Sequence, residues 1–246
     1  MRSLLQSAAF VTVLLVAVTA TAAPLLWIGD DRFGAGLLGI DPADGGRTYV
    51  DLSDWPVVMS VRAGVQAPTG ELFLEGVNAA EGRTILRFDP ATGEVVGISG
   101  YVDRDAEEPR GEGPGLEPGL TGMTFGPWGS LYALRRQGGP VRVDIVTGDR
   151  TVLSQSAEPR VGQGLEIRDP LDLVVEPRGS LLVADRWAGL VRIEVADGAR
   201  RSAFGFRDLI EGPHRLESLS DGRILHAFGA GDGRELTVLD RTLQYA

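Results

Sequence analysis

One short pattern, written four times, constrains this chain more than any other feature. Each copy has a turn carrying Gly, an apolar pair, a polar loop and a further strand ending in an acid. The first turns are Pro68-Thr69-Gly70, Pro127-Trp128-Gly129, Pro177-Arg178-Gly179 and, more loosely, Ser220-Asp221-Gly222. The apolar pairs are Leu72-Phe73, Leu131-Tyr132, Leu181-Leu182 and Ile224-Leu225. In three copies the closing acid opens a second glycine turn, Asp89–Gly93, Asp144–Gly148 and Glu194–Gly198, and Asp41–Gly45 matches these near the N-terminus. Repetition of this kind belongs to arrays of like units, none of which can bury its apolar face alone.

The units are built of strands. Their apolar runs are short, often β-branched and bounded by Gly, Pro and Asp, and no 3.6-residue period is sustained. Proline presets φ at the second turn position and glycine tolerates the backbone angles beyond it, so each first turn closes a hairpin. Four strands per unit then fall in order. Inner strands are expected at Val57–Val65, Leu120–Phe125, Leu171–Val175 and Arg215–Leu219, with two middle strands after each. Outer strands are expected at Thr48–Leu52, Glu94–Ile98, Arg150–Leu153 and Arg201–Phe206. The first-turn glycines Gly70, Gly129, Gly179 and Gly222 are spaced by 59, 50 and 43 residues. The last two spacings suit a four-stranded blade, and a loop at residues 101–119 explains the excess in the first. The expected fold is all-β: a β-propeller of four-stranded antiparallel blades. Five blades are counted, the first incomplete because Leu25–Gly29 has no inner strand before it; a six-bladed ring that has lost part of a blade is the alternative.

Residues 1–22 stand outside the repeat. Arg2 gives a positive start, Ala8–Val18 an apolar run and Ala20-Thr21-Ala22 a small-x-small cleavage site, the order of a secretory signal peptide. Residues 23–246 then form one propeller domain, expected to be secreted or periplasmic and free of stable membrane insertion after cleavage. The chain has no cysteine, so its core alone must hold it and thiol chemistry is excluded. All 24 basic residues are arginine, and the formal net charge is −10. An acidic surface of this kind argues against nucleic acid and anionic membranes as partners.

The stretch Leu171–Asp185, with its inner strand, Gly turn and Val183-Ala184-Asp185, followed by Leu190-Val191-Arg192-Ile193, resembles an NHL-type repeat. The wider resemblance is to NHL-type and gluconolactonase-like propellers, and it implies fold more than activity. The lactonase branch holds a metal with a glutamate, asparagines and an aspartate. Here Asp185 matches the aspartate alone, and the single asparagine, Asn78, lies in a polar loop.

Propeller ligands are expected on the face that carries the loops between middle strands. That face should present Asp30, Asp31, Glu75, Arg135, Arg136, Asp185, Arg186 and Trp187, with Asp103, Asp105, Glu107 and Glu108 in the long loop. The bland reading of each acid is a turn residue or solvated charge; the sharp reading is an oxygen cluster for Ca²⁺. The segment 103–119, rich in Gly, Pro and Glu, reads as a surface loop without a buried face, or as a lid. His214 and His226 are too few for a three-histidine zinc site, and no Gly-x-Ser-x-Gly elbow is present. Trp187 beside Arg186 is the best candidate for stacking on a ligand. The functional expectation is a non-catalytic module that binds a protein, peptide or small molecule. The alternative is a Ca-dependent lactonase- or esterase-like hydrolase. A cluster of three or four carboxylates at the axis would favour the enzyme; a channel of Val, Leu and Gly would count against it.

Overall fold

The computed structural model describes residues 13–14, 26–30, 36–41, 43–51, 63–77, 82–102, 108–127, 129–204, 215–219, 221–230 and 233–239. They form five antiparallel sheets that succeed one another along the chain. Sheet 1 holds β1 (Val13–Leu14), β2 (Leu26–Asp30), β3 (Gly36–Ile40) and β4 (Arg47–Asp51). Sheet 2 holds β5 (Gly64–Gln66), β6 (Leu72–Val77), β7 (Arg83–Phe88) and β8 (Val95–Gly100). Sheet 3 runs from β9 (Leu120–Phe125) through β10 (Leu131–Arg135) and β11 (Gly139–Val143) to β12 (Arg150–Val152). Sheet 4 runs from β13 (Pro170–Val175) through β14 (Leu181–Asp185) and β15 (Gly189–Ile193) to β16 (Arg200–Phe204). Sheet 5 has β17 (Arg215–Ser218), β18 (Ile224–Ala230) and β19 (Gly233–Leu239). The inner strands β5, β9, β13 and β17 lie side by side in that order, as blades around an axis must. Each sheet is one blade of a β-propeller.

The blade pattern agrees with the repeat, and the register shows why. Leu72, Leu131 and Leu181 open the second strand of blades 2, 3 and 4, and each is fully buried. Alternate side chains then go to opposite faces of the sheet. In blade 3, Leu131 and Ala133 pack toward blade 2 with Phe73 and Ile85, while Tyr132 and Leu134 pack toward blade 4 with Leu181 and Val183. Blade 3 thus shares a core with each neighbour. Phe73 and Phe125 meet edge to face with ring centroids 5.0 Å apart.

Two expectations need correction. The first blade is not short of an inner strand: Val13–Leu14 pairs antiparallel with Trp27 and Ile28. That strand comes from the stretch whose composition reads as a signal peptide, so a segment set outside the repeat fills the inner position.

The second correction concerns the long loop. Its part 108–119 is packed, with Leu116 only 2 % exposed and joined to the core between blades 2 and 3. The cause is Arg150, the first residue of β12, 5 % exposed. Its Nε donates to the Pro114 carbonyl (2.6 Å), Nη1 to Ser99 Oγ (2.6 Å) and the Arg110 carbonyl (2.9 Å), and Nη2 to the Gly111 carbonyl (3.1 Å). The Ser99 hydroxyl in turn donates to the Gly148 carbonyl at 2.6 Å. A loop with few apolar groups is ordered here by a guanidinium that gathers its carbonyls.

The same construction recurs one blade on. Arg200, the first residue of β16 and 3 % exposed, donates through Nε to Leu165 O (2.6 Å) and through Nη1 to Ser154 Oγ (2.6 Å) and Val161 O (2.8 Å). Ser154 Oγ donates to Gly198 O at 2.8 Å, as Ser99 does to Gly148. The two wrapping loops share a sequence as well: Glu108-Pro109-Arg110-Gly111-Glu112-Gly113 against Glu158-Pro159-Arg160-Val161-Gly162-Gln163-Gly164, with Leu116-Glu117 and Leu165-Glu166 after them. Burial lowers the pKa of both guanidiniums from the usual arginine value.

Candidate functional site

Charged side chains from the inner strands meet where those strands begin. Asp172 of β13 is buried and flanked by Leu171 and Leu173; its Oδ1 accepts from the Leu173 N–H (2.9 Å) and its Oδ2 from the Leu216 N–H of β17 (3.0 Å). One carboxylate therefore ties blade 4 to blade 5. Arg215, at the start of β17, reaches further. Its Nη1 donates to the Thr121 carbonyl of β9 at 3.1 Å and lies 3.8 Å from Asp172 Oδ2. The guanidinium thus spans from blade 5 to blade 3, and its side chain is 43 % exposed. Among the described residues, Nε and Nη2 of Arg215 have no partner.

Glu217, two residues on, completes the group. Burial and then the charge of Asp172 push its carboxyl up to about 8, and burial, partly offset by Arg215, pushes Asp172 up to about 6. Both acids are raised, mainly by burial, and carboxyls perturbed in this way mark a candidate site for binding or proton transfer. The strand pattern positions them: Arg215-Leu216-Glu217 and Leu171-Asp172-Leu173 both alternate, so successive polar and apolar side chains go to opposite faces of each inner strand. Leu120 pairs with Arg135 and Pro170 with Asp185, so this end of the inner strands adjoins the loops after β10 and β14.

The expected loop-face residues divide into two sets. Glu75, Arg135 and Asp185 are buried and committed to the fold. Glu75 Oε1 accepts from the Leu120 N–H of the next blade at 2.8 Å and lies 3.8 Å from Arg83 Nη1. Arg135 donates to the Gly138 carbonyl (2.8 Å) and to Gln155 Oε1 (3.0 Å), and burial lowers its pKa. Asp185, 2 % exposed, accepts from four backbone N–H groups: Trp187 (2.9 Å) and Ala188 (2.8 Å) on Oδ1, Arg168 (2.8 Å) and Asp169 (2.8 Å) on Oδ2. Its lone pairs are used in pinning two loops together.

The second set is exposed. Arg136 is exposed while its N–H donates to the Gly119 carbonyl at 2.9 Å. Arg186 Nη1 is paired with Asp169 Oδ2 at 2.9 Å, and Trp187 is 66 % exposed on the turn that Asp185 fixes. Asp30 ends β2 opposite Gly36, and Glu108 is exposed. Asp31, Asn78, Asp103, Asp105, Glu107, Trp128 and His214 lie outside the described residues. His226 is buried in β18 opposite Leu216.

Among the described residues the donor set does not fit a Ca²⁺ site of the lactonase kind. Asp185, the one residue matched to that family, has its oxygens taken by backbone donors, and the Arg215 guanidinium lies beside Asp172, where a cation would have to sit. Among the described residues no three acidic or histidine side chains converge as metal ligands. Sequence reasoning missed Thr121, Asp172, Arg215 and Glu217 as a group, although their alternation was visible.

No family model and no curated protein matches the chain. Solved structures do. A streptogramin B lyase aligns with 88 % of this chain and 65 % of its own at 12 % identity, TM-score 0.56. A structural-genomics protein of unknown function from Bacteroides thetaiotaomicron covers 90 % of this chain and 54 % of its own, at 14 % identity and TM-score 0.60. A protein classed as a gluconolactonase candidate covers 89 % and 71 %, at 17 % identity and TM-score 0.60. The chain thus spans less than two thirds of the first two neighbours. At the level of fold it is a β-propeller, like the lyase and the gluconolactonase-family structure it aligns with.

Proposed function

We propose that this propeller is a non-catalytic binding module that takes a small polar ligand, or the polar end of a peptide, at the mouth of its axis. The observation that carries this reading is Arg215: a half-exposed guanidinium, anchored at Nη1 by Thr121 O, with Nε and Nη2 directed to no protein group among the described residues. A fork fixed at one nitrogen and open at two is pre-organised for a carboxylate or similar planar anion. Glu217, held neutral near pH 7, would add a hydrogen-bond donor rather than a repelling charge. Trp187, presented on a rigid turn, supplies an apolar surface on the rim. The reading places the protein outside the cytoplasm, on the strength of the N-terminal pattern alone.

The test is a thermal-shift screen of the full chain against a panel of sugar acids, dicarboxylates and short peptides, repeated on Arg215→Ala. A ligand at about a hundred times its Kd adds roughly 2.7 kcal/mol, a shift of a few degrees. Shifts present in the unmodified protein and absent in Arg215→Ala support the reading; shifts that survive the substitution overturn it. A hydrolase is the second reading, favoured by the raised proton affinities of the neighbouring acids Asp172 and Glu217. Turnover of simple lactones or esters that is lost in Glu217→Gln would establish it in place of the first.

A further inference from the structure

Asp172 is coupled to both of the other charged groups at the mouth of the axis. Arg215 Nη1 lies 3.8 Å from its Oδ2, too far for a hydrogen bond and near enough for strong attraction. Glu217, on the same face of β17 as Arg215, feels the charge of Asp172. The Asp172 carboxylate cannot turn away from either neighbour. Its Oδ1 is held by the Leu173 N–H and its Oδ2 by the Leu216 N–H. β9 closes a further side: a Cβ on Gly122 would lie 2.3 Å from Oδ1, so glycine there leaves the carboxylate its place. Arg215 is anchored as well, by the Thr121 carbonyl at 3.1 Å.

A carboxylate held in this way competes with any anion for the same guanidinium. Ionised, it cancels much of the field that would draw a ligand to Nε and Nη2; protonated, it leaves Arg215 its whole charge. Burial raises Asp172 to about 6 and Glu217 to about 8, so the two acids take up their protons as a coupled pair as pH falls through that window. Other groups that face the pair carry no charge among the described residues. β9 brings Thr121 and Gly122, β14 places Ala184 opposite Asp172, and β18 places Leu225 opposite Glu217 and Ala227 opposite Arg215. His226 of β18 stands opposite Leu216, on the other face of that sheet.

We propose that Arg215 takes its anion together with a proton from solvent, which goes to the Asp172–Glu217 pair, so that the site fills in acid and empties in alkali. This rests on the reading of Arg215 as the anion contact and adds a control to it. By linkage, a bound anion makes the pair hold its protons more tightly by the same factor as the protons favour the anion. The ligand class narrows accordingly. A strong acid that stays ionised while the pair is protonated, such as a uronic or 2-hydroxy acid, gains from the arrangement; a weak acid that is itself protonated over the same range does not.

The probes are D-galacturonate, L-lactate and N-acetyl-triglycine, titrated into the full chain by calorimetry at about pH 5.5, 7 and 8.5 in two buffers of different ionisation heat. For the probe that binds, the dissociation constant should rise at least about tenfold from the lowest to the highest pH, the equivalent of one pKa unit. Net proton uptake is expected at neutral pH, and no binding by Arg215→Ala. Glu217→Gln should flatten the dependence on the alkaline side and keep it on the acid side. Carboxyl-carbon NMR of the ligand-free chain gives a second reading: in Arg215→Ala the titration of Asp172 should move up, because the charge that offsets its burial is gone. An affinity that needs Arg215 yet is equal at all three pH values, without proton uptake, would overturn the proposal and leave the binding reading standing. An Asp172 titration unmoved by Arg215→Ala would do the same. Binding that survives Arg215→Ala, or none by any probe at the lowest pH, would overturn both.

Discussion

Replacing Arg150 with alanine tests whether a wrapped guanidinium holds this fold together. The substitution removes five hydrogen bonds of 2.6, 2.6, 2.9, 3.1 and 3.3 Å, to Pro114 O, Ser99 Oγ, Arg110 O, Gly111 O and Gly148 O. At a net contribution of about 1 kcal/mol each, the loss is about 5 kcal/mol. Release of a desolvated charge offsets part of this, and the carbonyls left behind in a buried socket add to it. A domain of this size has a total stability of roughly 5–15 kcal/mol, so the effect would be a large fraction. Urea unfolding of the two proteins measures it, with the slope checked for constancy so that the shift in midpoint reports stability. Limited proteolysis should show new cleavage within 108–119 in the variant. Arg150→Lys, which keeps the charge and loses the planar fork, should recover about half of the loss. Arg47→Ala serves as the internal control and should cost no more than about 0.5 kcal/mol, as exposed substitutions do. A loss below about 1 kcal/mol for Arg150→Ala, the size of a single net hydrogen bond, would refute the argument that the arginine orders the loop. A loss no larger than that of Arg47→Ala would refute it equally.

Other outcomes rest on the same structure. Glu217 and Asp172 are raised to about 8 and about 6 in the folded chain, so the native state holds their protons more tightly than the unfolded state. Stability should therefore fall as pH rises from about 4.5 to about 8, through these two groups. Glu217→Gln should flatten the upper part of that decline in a melting-temperature series. Asp89, Asp144 and Asp149, whose carboxylates accept nearby backbone or hydroxyl hydrogens, have lowered pKa values and act in the opposite sense. Their contribution is present above about pH 4 and lost below it, visible as acid unfolding. Asp185→Asn puts an amide NH₂ against two backbone N–H donors and should cost about 2–3 kcal/mol in urea unfolding, while Trp187→Ala should leave stability within about 0.5 kcal/mol. Arg192 makes a bidentate pair with Glu176 at 2.5 and 2.6 Å, both largely buried, so Arg192→Ala should cost about 3–5 kcal/mol by stranding the carboxylate. The intact mass of the protein purified after expression in a secreting host should show whether cleavage after Ala22 removes β1.

The blades were legible because a turn is a local device. Pro177-Arg178-Gly179 needs only its own residues to reverse the chain, and Leu181 after it needs only alternation to face the core. Asp185 was visible for the same reason, but its use was not: four backbone donors from two loops select it as a pin, and no spacing in the sequence reveals them. Arg150 and Arg200 escape a reading that weighs the long loop by its apolar content. Their socket is made of carbonyls, which every residue carries and no composition records. The shared Glu-Pro-Arg stretches, beginning at Glu108 and Glu158, are the available clue. Asp172 and Glu217 sit in plain alternation, yet only the placement of β13 beside β17 makes one acid feel the other.

The wrapping loops have one more consequence. Each is gripped by its main chain, and the arginine reads carbonyl oxygens without regard to the side chains between them. Spacing must be preserved, and so must the glycines that cross the strand; Glu112 and Gln163, between those glycines, are free to vary. A protein engineer would find in these two segments a rigid, presentable display surface, writable at alternate letters, with its anchoring hidden where substitution cannot disturb it.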